Sequence, residues 1–370
     1  MNILYVSKID GRPWSGPTYS VPNQVKSQSL FDNVLWYNLV YSPRSEGVDN
    51  VNQWRNESFY CDLTNYPSGR VCDLPAPFSK PDLIIVEQGY PFAKEAIRYE
   101  ILKMGIPYIV VPRGELTASA QNKKKIKKLI GNIVLGYYKF MKNAIAIHFL
   151  TKQEQSETSS KWYNNGFVIP NGTNVPKNVE QHVHKDGLQC VSIGRLEPYH
   201  KGLDLLIGAC AGVKKQLIEN KVRIDFYGSN VENKLEGIVK LIEEKQLKDI
   251  ITIHNGVFGK EKERVLQCAD VFLMTSRFEG HPTGLLEALA YGLPCLVTTG
   301  SNMRHEIEDT NSGWGADNNE ESIQEAILRM LADISAFPVK SKNARELALG
   351  YDWEQIAQNS HDVYEQLLQH

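Results

Sequence analysis

The sequence predicts an α/β protein made of two domains, each with a doubly wound parallel sheet. Its 370 residues are more than one hydrophobic core comfortably serves, so two domains are expected. Both halves alternate short apolar runs with longer segments of helical periodicity, which is typical of βαβ units. The apolar runs contain few polar positions, as expected of parallel strands that helices cover on both faces.

Five strands and one long loop are predicted in the first half. The strands cover residues 3–6, 34–40, 83–87, 108–111 and 145–150. Residues 7–18 form a loop after the first strand, at the sheet edge where ligands bind in such folds. This loop has no GxGxxG fingerprint, so a nicotinamide dinucleotide site is not expected. Gly11 and Gly16 are either plain turn residues or part of a ligand-facing loop.

A polar linker separates the halves. A strand ends at residues 167–169, and the turn signal Pro170-Asn171-Gly172 and a polar stretch to residue 187 follow it. We therefore place the domains at 1–178 and 184–350, with a terminal helix at 352–370 that we expect to pack back toward the N-terminal domain. Strands of the second domain are predicted at 188–195, 223–227, 250–254, 271–274 and 294–297.

Composition excludes several classes of protein. Hydrophobic residues make up 42% of the chain and charged residues 23%, as in ordinary globular proteins. There is no run of about 18 apolar residues, so no transmembrane helix is expected. The chain starts with a strand pattern and no basic segment, so we expect no signal peptide. The six cysteines include no CxxC pair, which favours reduced structural thiols in a cytosolic protein.

Charge is unevenly distributed along the chain. Residues 1–178 contain 21 Lys and Arg against 14 Asp and Glu, a net charge of +7, whereas the remainder has 20 against 29, a net charge of −9. Five lysines lie beside an apolar, aromatic-bearing segment, namely Lys123, Lys124, Lys125, Lys127 and Lys128. This pattern is typical of either a basic amphipathic helix on an anionic membrane surface or a solvated surface helix. Nucleic acid is not an expected partner, because aromatic-rich basic platforms are absent elsewhere.

Two carboxylates eight positions apart flank a predicted loop-to-helix junction. Glu279 lies in a loop rich in glycine and proline, and Glu287 lies in the Leu- and Ala-rich helix that follows. Thr283 is the predicted N-cap, so free N–H groups and the positive helix end would face whatever Glu279 holds. An anion or a hydroxyl-rich ligand is the expected occupant. The alternative is a buried junction with two solvated glutamates.

Two cations follow the first strand of the second half. Arg195 and Lys201 are six positions apart, directly after a predicted strand. An arginine offers a bidentate fork and a lysine a point charge, and together they can clamp a diphosphate. The alternative is a pair of surface charges, one of which Glu197 would neutralise.

These features resemble the retaining glycosyltransferases of family 4 (group 1), which have the GT-B fold of two Rossmann-like domains facing across a cleft. The resemblance covers most of residues 184–370. It rests on the Gly194-Arg195-x5-Lys201 turn, the Glu279-x7-Glu287 pair and a final helix that begins near residues 352–354. In the first half it rests on the loop around Gly16, the strand order and the exit at residues 170–172.

The resemblance implies a role for each matching residue. Arg195 and Lys201 would bind the donor diphosphate and stabilise the departing nucleoside diphosphate. Glu279 would hold the hydroxyls of the donor sugar, Glu287 those of the ribose, and Val257 would contact the base. The other implied donor-binding residues are Gly16, Gly228, Gly280, His281, Pro282, Thr283 and Gly284. The resemblance also implies no metal or other cofactor, and the sequence contains no Asp-x-Asp motif.

The chain departs from the family pattern in two places. Gly16-Pro17 stands where a Gly-Gly pair is usual, and residues 281–283 differ from the common Gly-Phe-Gly-Leu pattern, so the donor sugar is not assigned. Residues 111–115 resemble a Pro-Arg-Gly turn of polysaccharide-assembly members. Arg113 and Glu115 are therefore candidates for contact with donor or acceptor, or else an ion pair within the domain.

The predicted function is that of a metal-independent, retaining hexosyltransferase at the cytoplasmic face of the cell membrane. It would transfer a sugar, with UDP-hexose as the first candidate donor, to a saccharide or polyprenyl-diphosphate-linked acceptor. Capsule, O-antigen or other lipopolysaccharide assembly is the expected context. A UDP-sugar epimerase of the same architecture and a non-catalytic sugar-nucleotide-binding subunit are the alternatives.

Overall fold

A computed structural model of the chain describes residues 1–12, 15–41, 53–92, 95–122, 128, 132–179, 187–230 and 234–369. These residues form two compact units. The first contains Met1–Gly172 and Trp353–His370, and the second contains Thr173–Asp352. The chain thus changes unit at residues 172/173 and again at 352/353, and the terminal helix groups with the first unit.

The first unit is built, within the described residues, on a seven-stranded parallel sheet with the order β3-β2-β1-β4-β5-β6-β7. Its strands are β1 (Asn2–Ser7), β2 (Asn33–Asn38), β3 (Tyr60–Asp62), β4 (Leu83–Glu87), β5 (Tyr108–Val111), β6 (Ala146–Phe149) and β7 (Gly166–Val168). Its helices before the unit boundary are α1 (Pro17–Gln28), α2 (Ala96–Met104), α3 (Ala118–Asn122), α4 (Tyr137–Asn143) and α5 (Lys152–Glu157). The strand order reverses at β1, as in a doubly wound sheet.

Both faces of this first sheet are buried. Along β1, Ile3 and Tyr5 pack on one side with Val21 of α1, whereas Leu4 and Val6 belong to a second core on the other side. This two-sided burial is the physical reason that the strands appear in the sequence as continuous apolar runs rather than as alternating patterns.

The second unit contains, in the described part of the chain, a six-stranded parallel sheet with the order β10-β9-β8-β11-β12-β13. Its strands are β8 (Leu188–Ile193), β9 (Val222–Tyr227), β10 (Ile251–His254), β11 (Val271–Met274), β12 (Cys295–Thr298) and β13 (Gly313–Ala316). Its helices are α6 (Pro198–Lys201), α7 (Leu203–Gly212), α8 (Lys214–Glu219), α9 (Leu235–Glu244), α10 (Gly259–Cys268), α11 (Thr283–Ala290), α12 (Arg304–Asp309), α13 (Glu320–Ala332) and α14 (Phe337–Leu349). Cys190 and Val191 of β8 point into two different cores.

The terminal helix α15 (Trp353–Leu368) completes the first unit. Tyr364 is fully buried in the same core as Ile3 and Tyr5. His361 Nδ1 lies 3.0 Å from a carboxylate oxygen of Asp32. The helix therefore fills a groove of the first unit although about 180 residues of the second unit precede it in the chain.

The predicted class of two doubly wound α/β domains is confirmed by these two sheets. Two strands of these sheets, β3 and β13, were not predicted from the sequence. The strand β3 has only three residues, and β13 consists of Gly313-Trp314-Gly315-Ala316, which lacks the β-branched residues that signal a strand. Among the described residues, no helix is both long and apolar enough to span a bilayer.

Candidate functional site

The turn after β8 presents the two predicted cations. β8 leads through Arg195 into the one-turn helix α6, which ends at Lys201, and Gly202 follows with a left-handed φ of 62°. A Cβ at Gly202 would lie 1.9 Å from the backbone oxygen of Thr275. Only glycine permits this contact, so the end of α6 lies directly against the chain that follows β11.

The turn after β9 also lies very close to the backbone of the turn after β8. A Cβ on Gly228, directly after β9, would lie 2.0 Å from the backbone oxygen of Gly194. The turns after β8 and β9 are thus in contact at the carboxyl edge of the sheet. A small cavity at this edge is lined by Gly194, Arg195, Lys201, Phe226, Met274 and Ser276.

Lys201 and Glu279 form an ion pair in this edge. Lys201 Nζ lies 2.6 Å from Oε1 of Glu279, and Ser276 Oγ donates to the same oxygen at 2.6 Å. Their side chains are 19% and 12% exposed. Burial by itself raises the pKa of Glu279, but the charge of Lys201 and the two hydrogen bonds outweigh it and lower the pKa. Glu279 is therefore an ionised hydrogen-bond acceptor.

Arg195 is held by a histidine. One guanidinium nitrogen, Nη2, lies 2.9 Å from Nδ1 of His200, and Nε2 of the same ring lies 2.7 Å from the backbone oxygen of Phe278. The imidazole stacks on the ring of Phe278 with centroids 4.3 Å apart. Across the described residues no carboxylate lies within ion-pair distance of Arg195, so its positive charge is not neutralised.

The predicted alternative for these cations, an ion pair with Glu197, is wrong. The carboxylate of Glu197 instead caps α6 by accepting from the backbone N–H of His200, and it pairs with Lys234 at 2.9 Å. As the N-cap of α6, Glu197 has its carboxylate engaged by the helix N–H and by Lys234 rather than by the two cations that flank it in sequence.

The loop 276–280 that carries Glu279 is fixed from two sides. On one side, the backbone N–H of Arg277 donates to the oxygen of His200 at 2.9 Å, and its guanidinium donates to both carboxylate oxygens of Asp204 at 2.7 and 2.8 Å. On the other side, Asn302 Nδ2 donates to the backbone oxygens of Glu279 and of the next residue at 2.6 and 3.1 Å. The carboxylate thus extends from a rigid loop.

The predicted N-cap of α11 is wrong by one residue. Pro282, with an extended backbone, occupies the N-cap, and Thr283 is the first helical residue. Among the described residues no side chain caps this helix, so its first N–H groups are not taken up by a capping side chain. His281 is 9% exposed and lies 5.5 Å from the ring of Tyr351, and burial lowers its pKa to about 3. The ring is therefore neutral at physiological pH. Gly280 and Gly284 flank this segment, and nothing crowds a Cβ at Gly280.

Glu287, the implied ribose ligand, is not free. Its carboxylate forms an ion pair with Lys262 of α10, and both side chains are partly exposed. Val257 is 5% exposed, so a ligand contact at this position would come from the backbone.

Arg113 is enclosed in the first unit. Its guanidinium pairs with Glu87 at 2.7 Å and donates to Ser20, Gln24 and Asn171 at 3.0–3.1 Å, and the side chain is 6% exposed. This arrangement favours the ion pair within the domain over a contact with acceptor, with Glu87 rather than Glu115 as the partner.

Glu115 also has partners within the first unit. Its carboxylate accepts from the backbone N–H groups of Gly89 and Tyr90 at 2.8 and 3.1 Å and from the hydroxyl of Tyr137 at 3.3 Å. Burial raises its pKa to about 7 although these three hydrogen bonds act in the opposite direction. Glu115 thus anchors the turn after β4.

The remaining predicted residues of the first unit are Gly16 and the lysines. Gly16 is the N-cap of α1 with a right-handed φ of −52°, and no described atom lies within 4 Å of a Cβ built there. Lys123, Lys124, Lys125 and Lys127 lie outside the described residues. Lys128 donates to the backbone oxygen of Ala120 at 2.6 Å, and its ammonium lies 5.0 Å from the ring centroid of Tyr90.

The second unit by itself brings together Arg195, Lys201, Glu279 and the first turn of α11. Sequence reasoning missed the residues that support them, which are His200, Asp204, Lys262, Ser276 and Asn302. The position of His200 directly before Lys201 on one helical turn was the only signal in the sequence. Ser276 lies three positions before Glu279. Asp204, Lys262 and Asn302 lie 23 or more positions from the residues they hold, and no local pattern relates them.

The segment of the chain that carries this site is similar to known glycosyltransferases. Residues 174–346 match the family model described as glycosyl transferases group 1. The putative colanic acid biosynthesis glycosyltransferase WcaL of Salmonella typhimurium is 34% identical over 154 residues, which are 40% of this chain and 36% of that protein. The amylovoran biosynthesis glycosyltransferase AmsK of Erwinia amylovora is 31% identical over 187 residues, 49% of this chain and 43% of that protein. The matches span less than half the length of these relatives.

Solved structures share the fold over the whole chain. Sucrose-phosphate synthase from Thermosynechococcus elongatus has a TM-score of 0.74 at 16% identity and covers 99% of both chains. Anabaena HepE in complex with UDP and glucose has a TM-score of 0.75 at 15% identity, with 99% of this chain and 100% of that chain covered. The chain has the GT-B fold, as predicted. Within this fold, residues 174–346 are thus similar to the group 1 glycosyltransferases.

Proposed function

We propose that the protein is a glycosyltransferase that acts during assembly of a surface polysaccharide. It transfers the sugar of a nucleoside diphosphate sugar, with a UDP-hexose as the donor, to a saccharide acceptor. The observation that carries this proposal is Arg195, a cation that has no carboxylate partner among the described residues, beside the Lys201–Glu279 pair at the carboxyl edge of the second sheet. Two cations suit a diphosphate, and an adjacent ionised carboxylate suits sugar hydroxyls.

In this proposal the two cations do different work. Arg195 keeps its full charge for the diphosphate because its partner is a histidine. Lys201 shares its charge with Glu279 and would link the diphosphate to the sugar. As the glycosidic bond breaks, negative charge develops on the departing diphosphate, and cations that are already in place stabilise that charge without reorganisation.

Glu279 would hold the donor sugar. Both of its hydrogen bonds in the described chain end on Oε1, which leaves Oε2 to accept from a ligand hydroxyl. The first N–H groups of α11 lie directly after this loop and would donate to the same ligand. We further propose retention of configuration without a protein nucleophile, and no requirement for a metal ion, because the two cations meet the charge of the leaving group.

The biological context rests on relatives. WcaL and AmsK are named for the biosynthesis of colanic acid and amylovoran, and HepE has been solved with UDP-glucose. A Campylobacter jejuni transferase named for a diphospho-undecaprenol-linked substrate is 31% identical over 105 residues. These names support a polyprenyl-diphosphate-linked saccharide as acceptor in capsule or lipopolysaccharide assembly.

A membrane-facing position is the remaining part of the proposal. The five lysines at positions 123–128 would attract the anionic inner leaflet from the cytoplasm. Co-sedimentation with anionic vesicles tests this part. Binding that is unchanged after all five lysines are replaced by glutamine would contradict it.

Thermal shift with UDP-, GDP- and dTDP-sugars tests the donor class, because a ligand that binds only the native state raises its melting temperature. Lys201→Ala and Glu279→Gln are expected to lower kcat/KM for transfer by about 100-fold or more, while EDTA has no effect. The matched control is Lys248→Ala on the exposed surface of the same unit, which should behave like wild type. Full transfer activity in Lys201→Ala would contradict the site assignment.

Two other outcomes would identify a different function. If NMR shows that the protein alone converts the sugar of the donor into its epimer, the protein is a UDP-sugar epimerase. Donor binding with neither transfer nor epimerisation across a panel of saccharide acceptors would indicate a non-catalytic sugar-nucleotide-binding subunit.

A further inference from the structure

We propose that His200 is a positioning residue that aims the guanidinium of Arg195 at the donor diphosphate, and that it does so only as the neutral tautomer protonated on Nε2. The inference rests on the proposed function, because it is the diphosphate that Arg195 would receive.

The tautomer follows from what the two partners can do. A guanidinium can only donate hydrogen bonds, so Nδ1 of His200 has to accept from Arg195 Nη2 at 2.9 Å. A backbone oxygen can only accept, so Nε2 has to donate to Phe278 at 2.7 Å. The other neutral tautomer would break both bonds. An imidazolium would place an N–H of the ring against an N–H of Arg195.

The ring itself has a defined position. It stacks on Phe278 with an interplanar angle of 19°. The backbone N–H of His200 donates to the N-cap carboxylate of Glu197, and the backbone oxygen of His200 accepts from the N–H of Arg277 at 2.9 Å. With both the main chain and the ring held, Nδ1 is a fixed acceptor that selects one orientation of the arginine fork.

Charged groups around the ring act in both directions. Burial lowers the pKa of His200, and the positive charges of Lys201 and Arg195 lower it further, whereas Glu279 raises it. Glu197 also faces the residue and favours the charged form. Because the net effect lowers the pKa, the neutral ring persists at physiological pH, and its hold on Arg195 is lost only as the pH falls below the ordinary histidine value of about 6.5.

The direction of the pH effect separates positioning from simple charge. An extra positive charge on His200 would attract a diphosphate and strengthen binding on acidification. If His200 acts by aiming Arg195, acidification weakens binding instead. UDP-glucose is a suitable probe, because both of its phosphates are esterified and neither titrates near pH 6. We expect the affinity of wild type for UDP-glucose, measured by calorimetry, to fall between pH 7.5 and 5.5.

Three substitutions test the two hydrogen bonds of the His200 ring separately. In His200→Asn the side-chain oxygen can replace Nδ1 and accept from Arg195. In His200→Gln the amide nitrogen can replace Nε2 and donate to Phe278. His200→Phe keeps only the ring stack. We expect His200→Asn to retain affinity within about threefold and to lose the fall at acid pH, and the other two to bind UDP-glucose about tenfold more weakly at pH 7.5.

Unfolding measurements and NMR complete the test. The expected result is that His200→Asn keeps its affinity for UDP-glucose and His200→Gln does not. If the loss of affinity in the three variants instead follows their loss of stability, the positioning role is overturned. In wild type with ¹⁵N-labelled histidine, the ring signals of His200 are those that are missing from the spectrum of His200→Asn. At pH 7 these signals should show that the ring is protonated on Nε2 alone. An imidazolium or the Nδ1-protonated form there would overturn the inference whatever the variants do.

The results also distinguish failure of this inference from failure of the proposed function. If wild type and all three variants bind UDP-glucose with the same affinity, or if wild type binds it more tightly on acidification, only the role of His200 is contradicted. Wild type that binds no nucleoside diphosphate sugar contradicts the proposed function, and the positioning role fails with it.

Discussion

At the scale of single residues, Arg195 differs from the two lysines near the candidate site in its kind of partner, and this difference decides what each can bind. Arg195 meets a histidine, Lys201 meets Glu279, and Lys262 meets Glu287. An arginine beside a neutral ring keeps its charge, whereas a paired lysine offers a charge that is partly compensated. We therefore expect anionic ligands to depend most strongly on Arg195 and hydroxyl-rich ligands on Glu279.

The carboxyl group of Glu115 in the first unit makes the free energy of unfolding depend on pH. The pKa of Glu115 is raised by burial from 4.5 to about 7. Because the folded value is the higher one, the contribution to stability is complete below pH 4.5 and is lost as the pH rises to about 7. The free energy of unfolding of wild type should therefore fall relative to that of Glu115→Gln over this window, by no more than about 3 kcal/mol.

Urea unfolding followed by fluorescence at several pH values measures this difference. Glu157→Gln, on an exposed position of α5, is the matched control and should follow wild type at every pH. A constant difference between Glu115→Gln and wild type from pH 4.5 to 7 would show that Glu115 does not titrate in this range.

At the scale of elements, short pieces of structure build the site. The helix α6 has four residues, yet its end is fixed by the contact of Gly202 with the chain after β11. The loop 276–280 is held by Arg277 on one side and by Asn302, with a left-handed φ of 60°, on the other. Neither element would be stable alone. Both depend on the parallel sheet that brings their ends to one edge.

Replacing Gly202 tests this dependence. A Cβ there combines a left-handed backbone with a clash against the oxygen of Thr275, so Gly202→Ala should destabilise the protein by about 3 kcal/mol and weaken donor binding by displacing Lys201. In Gly237→Ala, within α9, the new Cβ meets no atom within 4 Å, and this control should be neutral or stabilising by up to about 1 kcal/mol. Equal stabilities for the two variants would contradict the account of this turn.

The whole molecule consists of two units, each with its own sheet and cores, and the chain returns to the first unit at its end. The return is anchored by Trp353, whose ring lies where a Cβ on Gly172 would be, and by Tyr364 in the core of the first sheet. The two crossings between units are thus adjacent in space. The first unit is completed only after the second has been synthesised.

Removing the anchor should therefore affect one unit. Tyr364→Ala removes a fully buried aromatic side chain and should cost about 3–5 kcal/mol. Hydrogen exchange measured by mass spectrometry is expected to accelerate in β1 and α1, with the strands of the second unit unchanged. The control Gln366→Ala, on the exposed side of the same helix, should leave exchange unaltered. Acceleration confined to β8–β13 would refute this division.

The sequence by itself determined the fold class and most strands, and it supplied Arg195, Lys201 and Glu279 as candidate site residues. These are properties of local patterns. A strand buried on both faces is a continuous apolar run, and Arg195, Lys201 and Glu279 directly follow such runs. In a parallel sheet the chain segments that follow the strands lie at one edge. The structure shows Lys201 and Glu279 in contact across 78 residues of chain, as that edge requires.

Only the tertiary structure decided the partners. Glu197 caps a helix and pairs with Lys234 instead of with Arg195 or Lys201, and Arg113 pairs with Glu87 instead of Glu115. It also places His200 between Arg195 and the backbone of Phe278, 78 residues away. The physical reason is that burial and periodicity depend on neighbours in sequence, whereas hydrogen bonds and ion pairs depend on which segments the sheet order brings side by side.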